Sequence, residues 1–489
     1  MQQLVTSRLS LVLGLTLIFQ WLFWSEGLGL NLLMFSALVT AALLSLHPGA
    51  LASPRVWATV LGSVITGLML VIHHSGTALM VHLGAMLLMV GFIQAPALHH
   101  VGHALGQSLG SYLRLGMSLR REGRRLAVEI DWLQRLWPYL RLVGLPLLAV
   151  GVFLAIFLTA NPRLATLSGD LMASMADWLG QVSLAWIGCT ALGLLLVAGL
   201  VYHQSPRQVL RHEASFTEFL TRQRRKRDLF DFIGLKKEYR SGVLMLAMIN
   251  ALLLLNNLVD IGWIWLGQDL PKGTGLTQFV HEGTYLLILS ILLAMGIMLY
   301  YFRGNQNFYR QSSLLHRLSY LWIAQNVILV ISVAMRNAHY IAHFGLAYKR
   351  IGVFFFLLLV LYGLGSLVFK IRDRRSGFFL FRVNGWAVYG LAVMLTLVNW
   401  DPFIARYNLG HHEETGFLDR GFLLDLSAQA LPILLEHRAV FEQADDGRRD
   451  HYRDRLRENV DLFHAKQDGR SWRSWNWADA QVTRSLHGQ

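Results

Sequence analysis

Runs of about twenty apolar residues, separated by short polar or basic intervals, recur along this chain almost from end to end. A helix of that length crosses the hydrocarbon of a bilayer at about 1.5 Å per residue. The pattern predicts helices at 9–25, 29–46, 55–73, 77–97, 138–160, 181–202, 242–266, 283–302, 315–335, 351–369 and 378–398, about eleven spans. The clearest is IGVFFFLLLVLYGLGSLVF, bracketed by Arg350 and Lys370 with no charge between them. The short alternating segments that build a membrane β-barrel do not occur. The expected fold class is all-α: a polytopic transmembrane bundle with interfacial amphipathic helices and a small helical tail.

Two segments carry helical periodicity beside charge and are expected to lie in the headgroups. In the first, Leu126, Ile130, Leu133, Trp137 and Leu140 recur beside arginines. In the second, Leu164, Leu167, Leu171, Met175 and Trp178 recur beside Asp170 and Asp177. Gly102, Gly106 and Gly110 form a GxxxGxxxG series that permits close helix approach. The division expected is a four-helix segment (1–97), a basic amphipathic linker (98–137), a two-helix segment (138–202), a basic loop (203–240), a five-helix core (241–400) and a helical tail (401–489). That tail is charged and carries Trp472, Trp475 and Trp477, suited to a membrane interface.

Composition agrees with the pattern: 54% of residues are hydrophobic and only 15% charged, with a mean hydropathy of +0.42. Cys189 is the single cysteine and lies in an apolar run, which excludes an intrachain disulfide and leaves a small packed residue as the simplest reading. The net charge of +14 is best explained by positive loops on the cytoplasmic side. Anionic lipid headgroups at 98–137 and 203–240 are therefore the expected partners, rather than nucleic acid.

With eleven spans, the basic segments 98–137, 203–240 and 370–375 fall on one side. This predicts a bacterial inner-membrane protein with a cytoplasmic amino terminus and an extracytoplasmic tail. One loop disagrees: Arg336, Lys349 and Arg350 land outside. The segment RNAHYIAHFGLAYKR at 336–350 is therefore the focus for function, because ionisable groups near membrane depth persist when they face protein, water or a partner. Asp260, His281, Glu282, Arg336, His339, His343, Tyr348, Lys349, Arg350, Asp401 and Arg406 are all expected on the outer side as a ligand or ion cluster. His339 and His343 are one turn apart and could contribute to a metal site, although no HExxH accompanies them and Arg336 and Lys349 would repel a cation. Glu282 and His339 are the candidate acid–base pair of an enzyme acting on a lipid-linked or extracytoplasmic substrate. No nucleophile elbow, phosphate loop or cofactor fingerprint is present, so no cofactor is expected. The favoured reading is non-enzymatic: transport or sensing of a small ligand or ion, or assembly of a membrane complex.

The blocks LNNLVDIGWIWLG, GLTQFVHEG, RNAHYIAHFGLAYKRIGV, FFLFRVNGWAVY and NWDPFIARYNL resemble the bacterial membrane family known as domain of unknown function 4173. The resemblance covers roughly residues 240–410, and the closing WRSWNWADAQVTRSL resembles tails of that family. Ala347 stands where the resemblance calls for threonine. The resemblance implies an integral membrane protein of unassigned biochemistry and no catalytic residues. It leaves residues 1–240 unplaced.

Overall fold

The computed structural model describes residues 2–120, 183–202, 206–222, 234–266, 276–442 and 448–487, with scattered helical positions between 139 and 157. The described chain is helical throughout, apart from one isolated antiparallel bridge between Phe219 and Arg375. The first half contains α1 (Gln2–Phe23), α2 (Leu30–Leu46), α3 (Pro54–His73), α4 (Gly76–Gln94), α5 (Val101–Leu113), α6 (Leu184–Val201) and α7 (Arg207–Ala214). The second half contains α8 (Leu235–Asp260), α9 (Leu276–Tyr301), α10 (Ser313–Phe344), α11 (Tyr348–Arg372), α12 (Gly377–Leu395) and α13 (Trp400–Thr415). The tail adds α14 (Arg420–Leu424), α15 (Leu431–Glu436), α16 (Arg438–Glu442), α17 (Arg449–Gln467) and α18 (Trp477–His487).

Local chemistry sets the boundaries. Ser75, Ser183 and Ser376 cap α4, α6 and α12 by accepting from the backbone N–H of Ala78, Trp186 and Phe379. Pro54 starts α3, where its missing N–H costs nothing. Gly345, at φ +75°, ends α10 in a conformation that disfavours any side chain.

Six described helices are long and apolar enough to cross a membrane: Pro54–His73, Gly76–Gln94, Leu235–Trp265, Ser313–Phe344, Tyr348–Arg372 and Gly377–Leu395. Four more of the expected spans fall on shorter apolar helices, Arg8–Phe23, Leu30–Leu46, Ala185–Val201 and Leu289–Tyr301. The expected span at 138–160 lies largely outside the described residues. Among the described residues six helices thus meet the length and composition of a span, and the count of eleven is not confirmed. The amphipathic stretches at 126–140 and 164–178 also lie largely outside the described residues.

Three apolar cores organise the chain. The first joins α1–α6, through Phe19, Phe35, Leu43, Met89, Phe92 and Val197, with Cys189 against its edge. The second joins α8–α11, through Leu246, Met298, Trp322, Leu329, Val360 and Leu364. A third packs the tail against the junction of α10, α11 and α13, through Ile404, Leu423, Leu434, Phe441 and Phe463. Helix α12 touches both membrane cores, the first with Trp386 and Tyr389 and the second with Phe379 and Leu380.

Hydrogen bonds divide the loops into two faces. On one, Leu30 N–H donates to the Trp475 carbonyl, His74 meets Asp479, and His73 meets the Leu397 carbonyl. On the other, Arg55 donates to the Leu98 carbonyl, His99 N–H to Glu213, and Lys370 to the Phe302 carbonyl. There too the Leu220 N–H donates to the Arg374 carbonyl and the Ser376 N–H to that of Glu218.

Val101–Leu113, in the stretch expected to be an interfacial linker, instead runs back along α4 with Ala104, Gln107, Ser108 and Ser111 buried. The close approach is made at Gly91, where a Cβ would stand 2.0 Å from the Ala104 carbonyl oxygen. A Cβ at Gly106 or Gly110 meets nothing.

Candidate functional site

The most unusual chemistry in the described chain lies between α8 and α10. The buried positions of α8, Leu246, Asn250, Asn257 and Asp260, with half-buried Leu253, alternate at intervals of three and four residues. On α10, buried Trp322, Gln325, Leu329, Ser332 and Arg336, with half-buried Leu318, do the same. That 3.5-residue period is the signature of helices packed side by side in a shallow left-handed cross.

The hydrogen bonds fix the register. Asn250 Nδ2 donates to the Leu318 carbonyl (3.0 Å), and Asn257 Nδ2 donates to the Gln325 carbonyl (3.0 Å). Gln325 Nε2 donates to Asn250 Oδ1 (2.8 Å), and Trp265 Nε1 donates to Ser332 Oγ (3.1 Å). The step from Asn250 to Asn257 along α8 matches the step from Leu318 to Gln325 along α10 in length and direction, so the two helices are parallel. From Leu318 to Arg336 the polar stripe covers about 27 Å of helix, close to the thickness of a bilayer core.

At the far end Arg336 donates to Asp260 Oδ1 as an ion pair, with Asp260 3% and Arg336 7% exposed. Immediately after Asp260, Ile261–Trp265 winds as a π-helical turn, a local widening that often accompanies functional sites. Asp260 Oδ2, Asn257 Oδ1 and Gln325 Oε1 are buried and have no hydrogen-bond partner among the described residues. Acceptor oxygens in this condition are suited to a hydrogen-bond donor or a small cation.

The other expected cluster members divide into separate groups. Arg350 donates to the Phe344 and Gly345 carbonyls and stacks over Tyr340 at 4.5 Å, closing the carboxyl end of α10. It borders a cavity of about 150 Å³ with Phe344, Asn408, His411, Phe417, Asp419 and Phe422. Asn408 locks that turn by accepting from the Leu346 N–H and donating to its carbonyl. Asp401 accepts from the Ser427 N–H and hydroxyl. His339, His343, Tyr348, Lys349 and Arg406 are exposed. His281 and Glu282 lie on α9, but their side chains are outside the described ones. The structure therefore brings Asp260 and Arg336 together and places Arg350 at a different site. No group of three or more metal-ligating side chains occurs among the described residues, so His339 and His343 lack a third ligand there.

Sequence reasoning passed over Asn250, Gln325 and Ser332. Their seven-residue intervals were the available signal. It also passed over His82, fully buried on α4 with Nδ1 3.1 Å from both the Thr66 hydroxyl and the Ser63 carbonyl. In the tail, Glu26 is held by Arg473, Ser471 and Ser474, and Asp479 by His74, Arg470 and Asn476. Burial alone would raise both carboxyls. Hydrogen bonds from Ser471 and Ser474 bring Glu26 below its ordinary pKa, and those from His74 and Asn476, with the His74 charge, bring Asp479 well below.

No curated protein and no solved structure matches this chain. The family described as "Domain of unknown function (DUF4153)" matches residues 10–437. This corrects the resemblance to domain of unknown function 4173, which rested on blocks within residues 240–410 and on the closing tail, and it takes in residues 10–240, which the resemblance left unplaced. The seam, the turn at Gly345 and both membrane cores fall inside the matched region, and the chain belongs to the DUF4153 family.

Proposed function

We propose that this chain is a multi-pass protein of the bacterial inner membrane, amino terminus cytoplasmic and tail outside, that passes a small monovalent cation, the proton included, along the α8–α10 seam. The carrying observation is the row of buried acceptor oxygens on Asn257, Asp260 and Gln325 beside the Asp260–Arg336 pair. A buried acceptor without a donor costs about 1–3 kcal/mol, and an occupant that donates or carries positive charge offsets it. The orientation is supported by exposed Lys236, Lys237 and Arg240 at the start of α8 and exposed Arg372 and Arg374 at and just beyond the end of α11, on the face away from the tail.

The experiment is reconstitution in liposomes under imposed H⁺, Na⁺ or K⁺ gradients. Wild-type protein should dissipate one gradient faster than empty liposomes. Asp260→Asn should reduce that rate at least tenfold while the protein still inserts and elutes as a single species. Wild-type rates equal to empty liposomes for all three ions, or an undiminished Asp260→Asn rate, would refute the reading.

A further inference from the structure

The face opposite the tail carries a second constellation, independent of the seam. Segment 206–222 is docked there through two carboxylates. Glu213 on α7 is buried and accepts from the His99 N–H (2.6 Å), with His103 Nδ1 at 2.7 Å and His99 Nδ1 at 3.3 Å. Glu218 pairs with Arg375 at 3.4 Å and with Arg382. Between this segment and the membrane helices lies a cavity of about 600 Å³, bordered by Arg55, His99, Glu213, Phe216, Phe378 and Arg382.

Its walls are of two kinds. Phe216 and Phe378 stack with parallel rings, centroids 5.6 Å apart, and with Leu210 they make an apolar slab. Two guanidinium groups, those of Arg55 and Arg382, line the same cavity. Arg55 is the second residue of α3 and Arg382 lies about one turn into α12, so both sit at the level where a membrane-spanning helix enters the headgroups. Arg55 is within electrostatic reach of both Arg382 and Glu213, so Glu213 offsets part of the repulsion between the two guanidinium groups and an anion between them would relieve the rest. The local carboxylates are already engaged: Glu218 is shared by Arg375 and Arg382, and Glu213 is taken by His99 and His103. Arg375 is shared by Glu218 and Asp373, so Arg55 and Arg382 are the guanidinium groups that border the cavity, and Nε of Arg382 is a buried donor with no hydrogen-bond partner among the described residues.

We propose that this cavity binds the phosphate of an anionic amphiphile, with the phosphate between Arg55 and Arg382 and the first part of the acyl chain along Phe216 and Phe378. Two guanidinium forks suit a phosphate, which accepts paired hydrogen bonds. The apolar slab and the depth of the arginines suit a lipid. The volume is large enough for a headgroup.

The test is native mass spectrometry of full-length protein in detergent, titrated with phosphatidylglycerol, with phosphatidylcholine of equal chain length, and with glycerol 3-phosphate as competitor. Phosphatidylglycerol should bind at least tenfold more tightly than phosphatidylcholine. Arg55→Gln, which leaves both Glu218 ion pairs intact, should abolish that preference. Arg372→Gln, an exposed arginine of the same face outside the cavity, should keep it. Arg55→Lys covers the case in which Arg55→Gln does not fold, and should weaken binding severalfold by retaining the charge without the fork. Displacement by millimolar glycerol 3-phosphate would assign the site to a soluble phosphate ester, refuting the acyl half of the proposal. Equal binding of the two lipids, unchanged binding in both Arg55 variants, or equal loss in Arg372→Gln would overturn it entirely.

Discussion

Replacing Asp260 with asparagine removes the countercharge that Asp260 supplies to the buried Arg336. Two unit charges at about 3 Å, in an effective dielectric constant near 20, attract by about 5 kcal/mol. Burying each costs several kcal/mol, so the intact pair contributes little net stability. Loss of one partner is different, because the desolvation cost of the survivor stays while the attraction goes. The expected cost is about 3–5 kcal/mol for Asp260→Asn and a similar amount for Arg336→Met, whereas the double variant Asp260→Leu/Arg336→Met should recover most of it. The assay is equilibrium unfolding in mixed micelles with rising SDS mole fraction, followed by tryptophan fluorescence. A single-variant cost under about 1 kcal/mol, or a double variant no more stable than either single one, would show that the pair is solvated and that the buried seam is misread. The same double variant separates stability from function: it should stay folded and conduct nothing.

Three further outcomes follow from specific contacts. Gly91→Ala should destabilise the α4–α5 packing by about 1–3 kcal/mol because its Cβ overlaps the Ala104 carbonyl, while Gly106→Ala and Gly110→Ala should be neutral or slightly stabilising in the same assay. Gly345→Ala should cost about 1–3 kcal/mol, since φ is +75° and the new Cβ would stand 2.5 Å from Asn408 Oδ1; pairing it with Asn408→Ala should give a strongly non-additive cycle. Asp479 and Glu26 have folded-state pKa values below their unfolded ones, so the stability they supply is present above about pH 4 and is lost as pH falls through the folded values. Protease cleavage of the tail should therefore begin only below about pH 4 in wild type and already occur at pH 7 in Asp479→Asn.

Much of the helix pattern was legible because apolar period and length depend on composition alone. The span bracketed by Arg350 and Lys370 appears as α11 with nearly those ends. What one strand of sequence does not encode is which helix lies beside which. Val101–Leu113 contains arginine-free polar residues that look suited to an interface, yet Ser108 and Ser111 donate to the Leu87 carbonyl and Gln94 Oε1 inside the bundle. The GxxxGxxxG series pointed to the wrong glycines for the same reason, since the contact is decided by the partner at Ala104 and its site on α4 is a lone Gly91. The seam was half visible. Asn250 and Asn257 stand one heptad apart, but their partners on α10 are 68 residues away, and only the parallel packing shows that the two heptads share a register.

The three cations that break the charge-side rule, Arg336, Lys349 and Arg350, differ in what surrounds them. Arg336 is compensated by Asp260 inside the bundle and adds no net charge to the face that carries the tail. Arg350 spends its guanidinium on the carbonyls that end α10 and on the Tyr340 ring, where the negative end of the helix dipole favours it. Only Lys349 stands exposed. The rule counts loop charges available to the membrane potential and the lipid headgroups, and two of the three are consumed locally. The exceptional segment is thus an internal electrostatic joint, and it does not count against the proposed orientation, in which the face that gathers Arg374, Arg375 and the ends of α3, α4, α6 and α12 is the cytoplasmic one.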